Sequence, residues 1–294
     1  MNTSDTRLTA ILRCIRCGES NLQKENDYFL CKRCGARFPN IKYIPHFINN
    51  EQRKTYDEEI AKGINRLKTF VKRWPKLFTF LTYAIGTTLY SGLSPQRAVR
   101  RCIKKEHLTE EIVLNLGSGT RRIHPDIINI DIFAFKNIDI VADVESLPFH
   151  DASIDMIISE SLLEHVPHPE LAIKEITRII KPGGFIYLST PFMHPFHASP
   201  NDYTRWTHTG LRNSFSAFEM LEVGVRCGPM SALLTFLKYW LAIAFSFGSQ
   251  TLYLILTHVF MVLLSPLKVL DYFFNLFPQS IESAAQIYFL GKRK

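Results

Sequence analysis

The sequence predicts an α/β fold: a doubly wound sheet of seven strands, with a small cysteine-rich ribbon ahead of it and an apolar helical insertion before its last strand. Three observations predict it. From Glu111 onward, short apolar strands alternate with helical stretches, the pattern of a largely parallel sheet. Two Cys-x-x-Cys pairs stand near the start of the chain, with 13 residues between them. Two almost wholly apolar runs, 231–247 and 251–265, fall where the last two strands of such a sheet ordinarily need only a turn. The implied boundaries are a ribbon at 10–50, a helical basic and apolar linker at 51–107, and an α/β domain at 108–294 that carries the insertion at 227–284.

A chain of 294 residues accommodates one α/β domain plus a small module. Its 21% charged and 46% hydrophobic content is ordinary for a globular protein, but 22 Phe and 11 Tyr are many for a water-soluble enzyme. Charge is uneven. Residues 1–110 hold 21 Lys and Arg against 10 Asp and Glu, whereas 111–294 hold 14 against 17. An anionic partner, RNA or a lipid headgroup surface, would meet the N-terminal half. Residues 1–10 show no basic run leading into an apolar stretch, so a cytoplasmic location is the expectation.

In the ribbon, Cys14 and Cys17 form one pair and Cys31 and Cys34 the other, each followed by Gly. Two thiolates separated by two residues reach one tetrahedral ion, and the Gly permits the tight turn that aims backbone amides at sulfur. Structural Zn²⁺ is the expectation. A redox dithiol ordinarily comes once, beside a βαβ pattern, and here the pair comes twice.

In the α/β part, Ile112-Val113-Leu114-Asn115-Leu116 is a buried strand running into Gly117-Ser118-Gly119. Two glycines there let the backbone approach a ligand at the carboxyl edge of the sheet. A dinucleotide site would want a third glycine, and that position is Arg122. The second strand ends in Asp131, placed to accept from ribose hydroxyls, and the third leads into Asp143-Val144-Glu145-Ser146-Leu147-Pro148-Phe149, where Asp143 could read an adenine amino group. The fourth strand, 154–158, leads to Ser159, Glu160 and Leu163-Glu164-His165-Val166. A helix over 169–180 then stops at Lys181-Pro182-Gly183-Gly184 before the fifth strand, 185–189. The sixth and seventh strands fall at 215–225 and 285–290.

These motifs, in this order and spacing, resemble the class I S-adenosylmethionine (SAM)-dependent methyltransferases of the type 11 family over residues 111–215. The resemblance implies a Rossmann-like sheet and SAM contacts at Gly117, Gly119, Asp131, Asp143, Ser159 and Glu160. Asn115 is a further cofactor-binding candidate, in a position where the family commonly has an acid. With 14 residues from Gly117 to Asp131, the first helix must be short. The ribbon resembles zinc modules that accompany methyltransferases, including some rRNA enzymes, although those typically place a His among the ligands.

After the fifth strand come Pro191-Phe192-Met193-His194-Pro195-Phe196-His197 and Asn201-Asp202-Tyr203-Thr204-Arg205. In this fold that loop lies over the methyl donor, which makes His194 or His197 candidate general bases, Asp202 their orienting partner, and Tyr203 and Arg205 substrate groups, Arg205 for an anionic one. The alternative is that Asp202, Tyr203 and Arg205 staple the loop. His165 reads as a structural residue at a helix start. No Asn/Asp-Pro-Pro-Tyr/Phe stretch follows the fourth strand, which favours an oxygen acceptor.

The apolar runs give helices of roughly 25 and 22 Å, short of a bilayer core of roughly 30 Å, and Lys238 interrupts the first. A hairpin dipping into one leaflet, with Tyr239, Trp240 and Tyr253 at the interface, fits better than a span. A third run, 77–93, is flanked on both sides by Lys and Arg, which suits a segment lying on an anionic surface. A lid or a dimer interface is the alternative. The functional expectation is a methyltransferase peripheral to the inner face of the membrane, acting on a small-molecule, saccharide or lipid-linked acceptor. An RNA methyltransferase held by the basic half, and a non-catalytic scaffold, remain the alternatives.

Overall fold

The computed structural model describes residues 6–20, 22–48, 84–103, 108–198 and 201–294. Most of the expected 51–107 linker, including 77–83 and the basic residues ahead of them, lies outside the described residues.

The ribbon begins with a short helix, α1 (Thr6–Ala10), and forms β1 (Gln23–Lys24), β2 (Tyr28–Leu30), β3 (Arg37–Ile41) and β4 (Ile44–Phe47). Lys42 and Tyr43 both have positive φ, so β3 and β4 are joined by a two-residue turn whose twist matches its strands. Phe47 is fully buried, its ring 5.8 Å from that of Phe29 and 4.9 Å from that of Phe38.

The α/β part contributes β5 (Val113–Leu116), β6 (Ile128–Asp131), β7 (Ile140–Ala142), β8 (Ile154–Glu160), β9 (Ile180–Pro191), β10 (Phe218–Cys227) and β11 (Gln286–Arg293). Their spatial order is β7-β6-β5-β8-β9-β11-β10, parallel through β9, with β11 antiparallel to both neighbours. The sheet does not end at β7. There β4 adds in parallel, pairing His46 with Val141 and Phe47 with Ala142, so the ribbon continues the sheet to 11 strands instead of forming a separate lobe.

Strand alternation sorts the core into two faces. Leu114, Leu116, Ile157, Ile186, Leu188, Ile287 and Phe289 face one way, toward the ribbon, α3 (Pro169–Ile179) and α4 (His208–Ser214). Val113, Met156, Ile158, Tyr187, Tyr288 and Leu290 face the other, under α2 (Pro95–Cys102). Ser94 caps α2 by accepting from Arg97 N at 3.3 Å, and Tyr187 donates its hydroxyl to Leu93 O at 2.6 Å.

Two local expectations are corrected. No helix forms between β5 and β6. Arg122 instead fixes that crossover, donating to Ile127 O (3.1 Å), Asn137 O (2.8 Å) and Asp139 (2.9 Å). The Lys181-Pro182-Gly183-Gly184 stretch lies inside β9, which starts at Ile180. Pro182 disfavours helical backbone at Lys181, so α3 gives way directly to extended chain.

The insertion comprises α5 (Pro229–Ser246) and a continuous helical run from α6 (Gln250–Leu264) through α7 (Asp271–Phe274), longer than the expected 251–265. Both runs are long and apolar enough, by length and composition, to cross a membrane. Many of their apolar side chains are exposed, among them Trp240 (74%), Ile243, Leu263 and Phe273. The base of the hairpin is tied down by Asp271, which is fully buried and accepts from Met230 N (2.8 Å), Ser231 N (3.1 Å) and Ser231 Oγ (2.5 Å). Residues 84–92 pass along this base. Lys268 Nζ donates to Ala84 O and Gly86 O, and Asn275 Nδ2 to Ser91 Oγ. Asp271→Ala would orphan a buried amide at Ser231 and a partly buried one at Met230, at the start of α5. A loss of about 2–4 kcal/mol in chemical denaturation is the expected outcome.

Candidate functional site

The parallel strands deliver their carboxyl ends to one edge of the sheet, where α/β folds bind ligands. Leu116 pairs with Ile130 on one side and Ser159 on the other, Asp131 with Val141, and Glu160 with Ser189. Gly117 and Gly119, Asp131, Asp143, Ser159 and Glu160 therefore lie along one rim.

Gly117 and Gly119 both have positive φ, at 64° and 56°. A Cβ at Gly117 would sit 2.8 Å from Leu162 Cδ1, whereas one at Gly119 would meet nothing within 4 Å. The loop is thus packed behind Gly117 and open in front of Gly119. Gly117→Ala combines strain with a clash, and a loss of cofactor affinity of at least tenfold in calorimetry is expected. Asp131 braces this loop: Oδ2 accepts from Gly119 N at 2.8 Å and Oδ1 from Phe133 N at 3.0 Å. Burial pushes its pKa up, and these amides oppose the shift. Asp143, also raised by burial, accepts from Glu145 N at 2.9 Å. Ser118 Oγ is buried without a hydrogen-bond partner beside the open glycine turn, which suits a polar ligand such as SAM.

Asn115 is buried and donates to Asn129 Oδ1 at 3.1 Å. Asn129 in turn donates to Arg121 O and Asn137 O, so Asn115 supports the glycine-loop crossover. Glu160 pairs with Arg226 Nε at 3.0 Å, with Arg121 at 3.7 Å. Arg226 is 4% exposed and was not anticipated. Its edge strand also carries Glu219 and Glu222, and its partner Glu160 lies 66 residues away in sequence, so nothing local marks it.

The loop after β9 gathers three imidazoles. His197 stacks edge-on between His194 (4.7 Å) and His165 (5.0 Å). Asp202 accepts from His197 N at 2.8 Å, and its Oδ2 lies 3.5 Å from His197 Nδ1, so it orients His197 and not His194. His194 Nδ1 lies 2.8 Å from Pro195 O, which leaves Nε2 as its free nitrogen. Arg205 uses all five donors internally, on Asp202 twice and on His194 O, Thr204 O and Pro195 O. That is the staple geometry, with no donor over for an anion. Arg205 holds the Asp202 carboxyl down at about 2. Tyr203 anchors the loop through its amide, which donates to Glu164 O at 2.7 Å, while its side chain is exposed. Burial lowers His194, and burial with the neighbouring imidazoles lowers His197 to about 4. Both are neutral, proton-accepting groups at pH 7.

In the ribbon the two knuckles repeat one geometry. Gly18 N donates to Cys14 O and Gly35 N to Cys31 O, each at 2.9 Å, and both glycines have φ of 71°. The sulfurs of Cys14 and Cys34 lie 3.6 Å apart, those of Cys17 and Cys31 3.5 Å, and all four within 4.8 Å of one another. Sulfurs around a tetrahedral zinc at about 2.3 Å would be about 3.8 Å apart.

Residues 118–188 match the family described as a methyltransferase domain. The chain is 44% identical over 52 residues to an uncharacterized methyltransferase of Mycobacterium tuberculosis (strain H37Rv), covering 17% of this chain and 20% of that relative. It is 39% identical over 62 residues to another from Mycobacterium sp. (strain KMS), covering 21% and 25%. The chain thus spans a fifth to a quarter of the length of these relatives. Among solved structures, Haemonchus contortus Phospholethanolamine N-methyltransferase 2, in complex with phosphomonomethylethanolamine and S-adenosylhomocysteine, aligns at 14% identity over 76% of this chain and 59% of that one, with a TM-score of 0.43.

Proposed function

We propose that the chain is a SAM-dependent methyltransferase that methylates an oxygen of a lipid-linked or saccharide acceptor at a membrane surface, with zinc held in the four-cysteine ribbon. The observation that supports the activity most is the rim of Gly117, Gly119, Asp131 and Asp143 at the carboxyl edge, inside the stretch that matches a methyltransferase domain. Asp131 and Asp143 would accept from the ribose and adenine of SAM, and the open turn at Gly119 would admit its methionine end. SAM, when bound, supplies an electrophilic methyl group on a sulfonium.

This chain's residues then align the acceptor and take its proton. His194 and His197 are the candidates, His194 with Nδ1 held against Pro195 O and His197 with its backbone amide held by Asp202. Replacing each in turn should abolish turnover with SAM affinity unchanged; full turnover in both variants contradicts the role. Because burial places both below 6.5, the acid limb of the pH–rate profile is expected below pH 6.5, with a plateau above it. A limb above pH 6.5 would rule them out as the titrating base.

The membrane reading rests on the exposed apolar hairpin and the basic N-terminal half. Co-sedimentation with anionic phosphatidylglycerol vesicles, lost on Trp240→Glu, is the expected result. A dimer by light scattering that the same change dissolves would assign the hairpin to a second copy instead. Incubating the protein with methyl-labelled SAM and separate lipid, saccharide and RNA extracts tests the acceptor. Label in the RNA fraction, with salt-sensitive binding, would favour the basic half as an RNA-binding surface.

A further inference from the structure

We infer that Glu164, His165 and His197 form a second metal site, distinct from the cysteine ribbon, that binds a first-row divalent transition ion. Glu164 is fully buried, and its Oε1 has no hydrogen-bond partner. Thr190 donates only to the other oxygen, Oε2, at 3.4 Å. The unpartnered Oε1 lies 3.8 Å from His165 Nε2 and 3.9 Å from His197 Nε2, and the three ligand atoms fall within 4.8 Å of one another. Ligands around an ion with bonds of about 2.0–2.1 Å are about 3.4 Å apart at tetrahedral angles. Modest closing of two imidazoles would complete the site.

The surroundings of the imidazoles favour a metal. His165 Nδ1 lies 2.5 Å from Asn201 O, which as a carbonyl can only accept, so the proton sits on Nδ1 and the Nε2 lone pair faces Glu164. His197 Nδ1 faces Asp202 Oδ2 at 3.5 Å, and Asp202 is locked by Arg205. The carbonyl behind His165 is the usual support of a histidine ligand, and the His197 Nδ1, buried without a hydrogen bond, needs only a small turn of the ring to gain the same support from Asp202. Two neutral imidazoles and one carboxylate suit Fe²⁺, Mn²⁺, Co²⁺ or Zn²⁺ better than Mg²⁺ or Ca²⁺, which prefer oxygen. His197 is one-third exposed, so the open coordination positions face the loop surface. The site stands whether or not the chain transfers methyl groups. If it does, His197 is a ligand and His194 remains the base.

The test is titration of Co²⁺ into full-length protein whose ribbon is already zinc-loaded, followed by optical spectroscopy. One further equivalent should bind, giving d–d bands without thiolate charge transfer. Glu164→Gln and His197→Ala should each weaken Co²⁺ binding by more than about 100-fold, and Asp202→Asn by about 10–100-fold. Calorimetric SAM titration and a melting curve on the same variants show that they fold. No binding beyond the ribbon equivalent, or binding unchanged in folded Glu164→Gln, overturns the site.

Discussion

Chelating the zinc proposed for the ribbon, or replacing Cys31 with Ser, is expected to lower SAM affinity by at least tenfold, although the ribbon contributes none of the proposed cofactor contacts. The reason is where the ribbon attaches. Its strand β4 pairs with β7, whose last residue, Ala142, precedes Asp143. Beyond Asp143 the chain is clamped again: Arg13 N donates to Pro148 O at 3.0 Å, His150 N to Ile11 O at 2.9 Å, and Leu12 bridges Phe149. Arg13 also pairs with Asp151 at 3.0 Å. The whole 143–150 segment is therefore held by a small module in which the proposed zinc would supply a large share of the folding free energy. Losing that ion would free the segment, and SAM would then have to order it on binding. Calorimetry before and after chelation, with zinc re-addition as control, measures the effect. An unchanged SAM dissociation constant in verified zinc-free protein contradicts it.

Asp131→Ala produces the larger loss, about 100- to 1,000-fold in SAM affinity. The carboxylate is 8% exposed and accepts from two amides at once, Gly119 N and Phe133 N. Alanine leaves both donors unpaired at about 1–3 kcal/mol each, loosens the glycine turn, and removes the proposed ribose acceptor. Asp131→Asn keeps one oxygen and should recover part of the affinity. A threefold change or less in the alanine variant would mean that the nucleoside lies elsewhere.

The strands were legible as short, nearly continuous apolar runs between turn signals, because both faces of the sheet are covered: Val113 and Leu114, or Tyr187 and Leu188, enter opposite cores and both must be apolar. The glycine turn was legible because positive φ at Gly117 and Gly119 needs glycine, and the knuckles because four thiols at that spacing have few other uses. What escaped depends on distant partners. Nothing local in Ile44–Phe47 announces a parallel neighbour at Ile140–Ala142, almost a hundred residues on. Arg122 replaces an expected helix through contacts with Ile127, Asn137 and Asp139. Asp271 caps a helix that starts some forty residues earlier, and the buried Glu164 acquires its meaning only when the loop after β9 brings His197 back to it.

The central claim is that the carboxyl edge of this sheet is a SAM site. Isothermal titration of the zinc-loaded protein with SAM and with S-adenosylhomocysteine tests it most directly. One site per chain for both ligands, abolished or weakened at least 100-fold by Asp131→Ala, is the predicted result. No heat of binding for either ligand at millimolar concentration, in protein whose cooperative melting shows it folded, would contradict it.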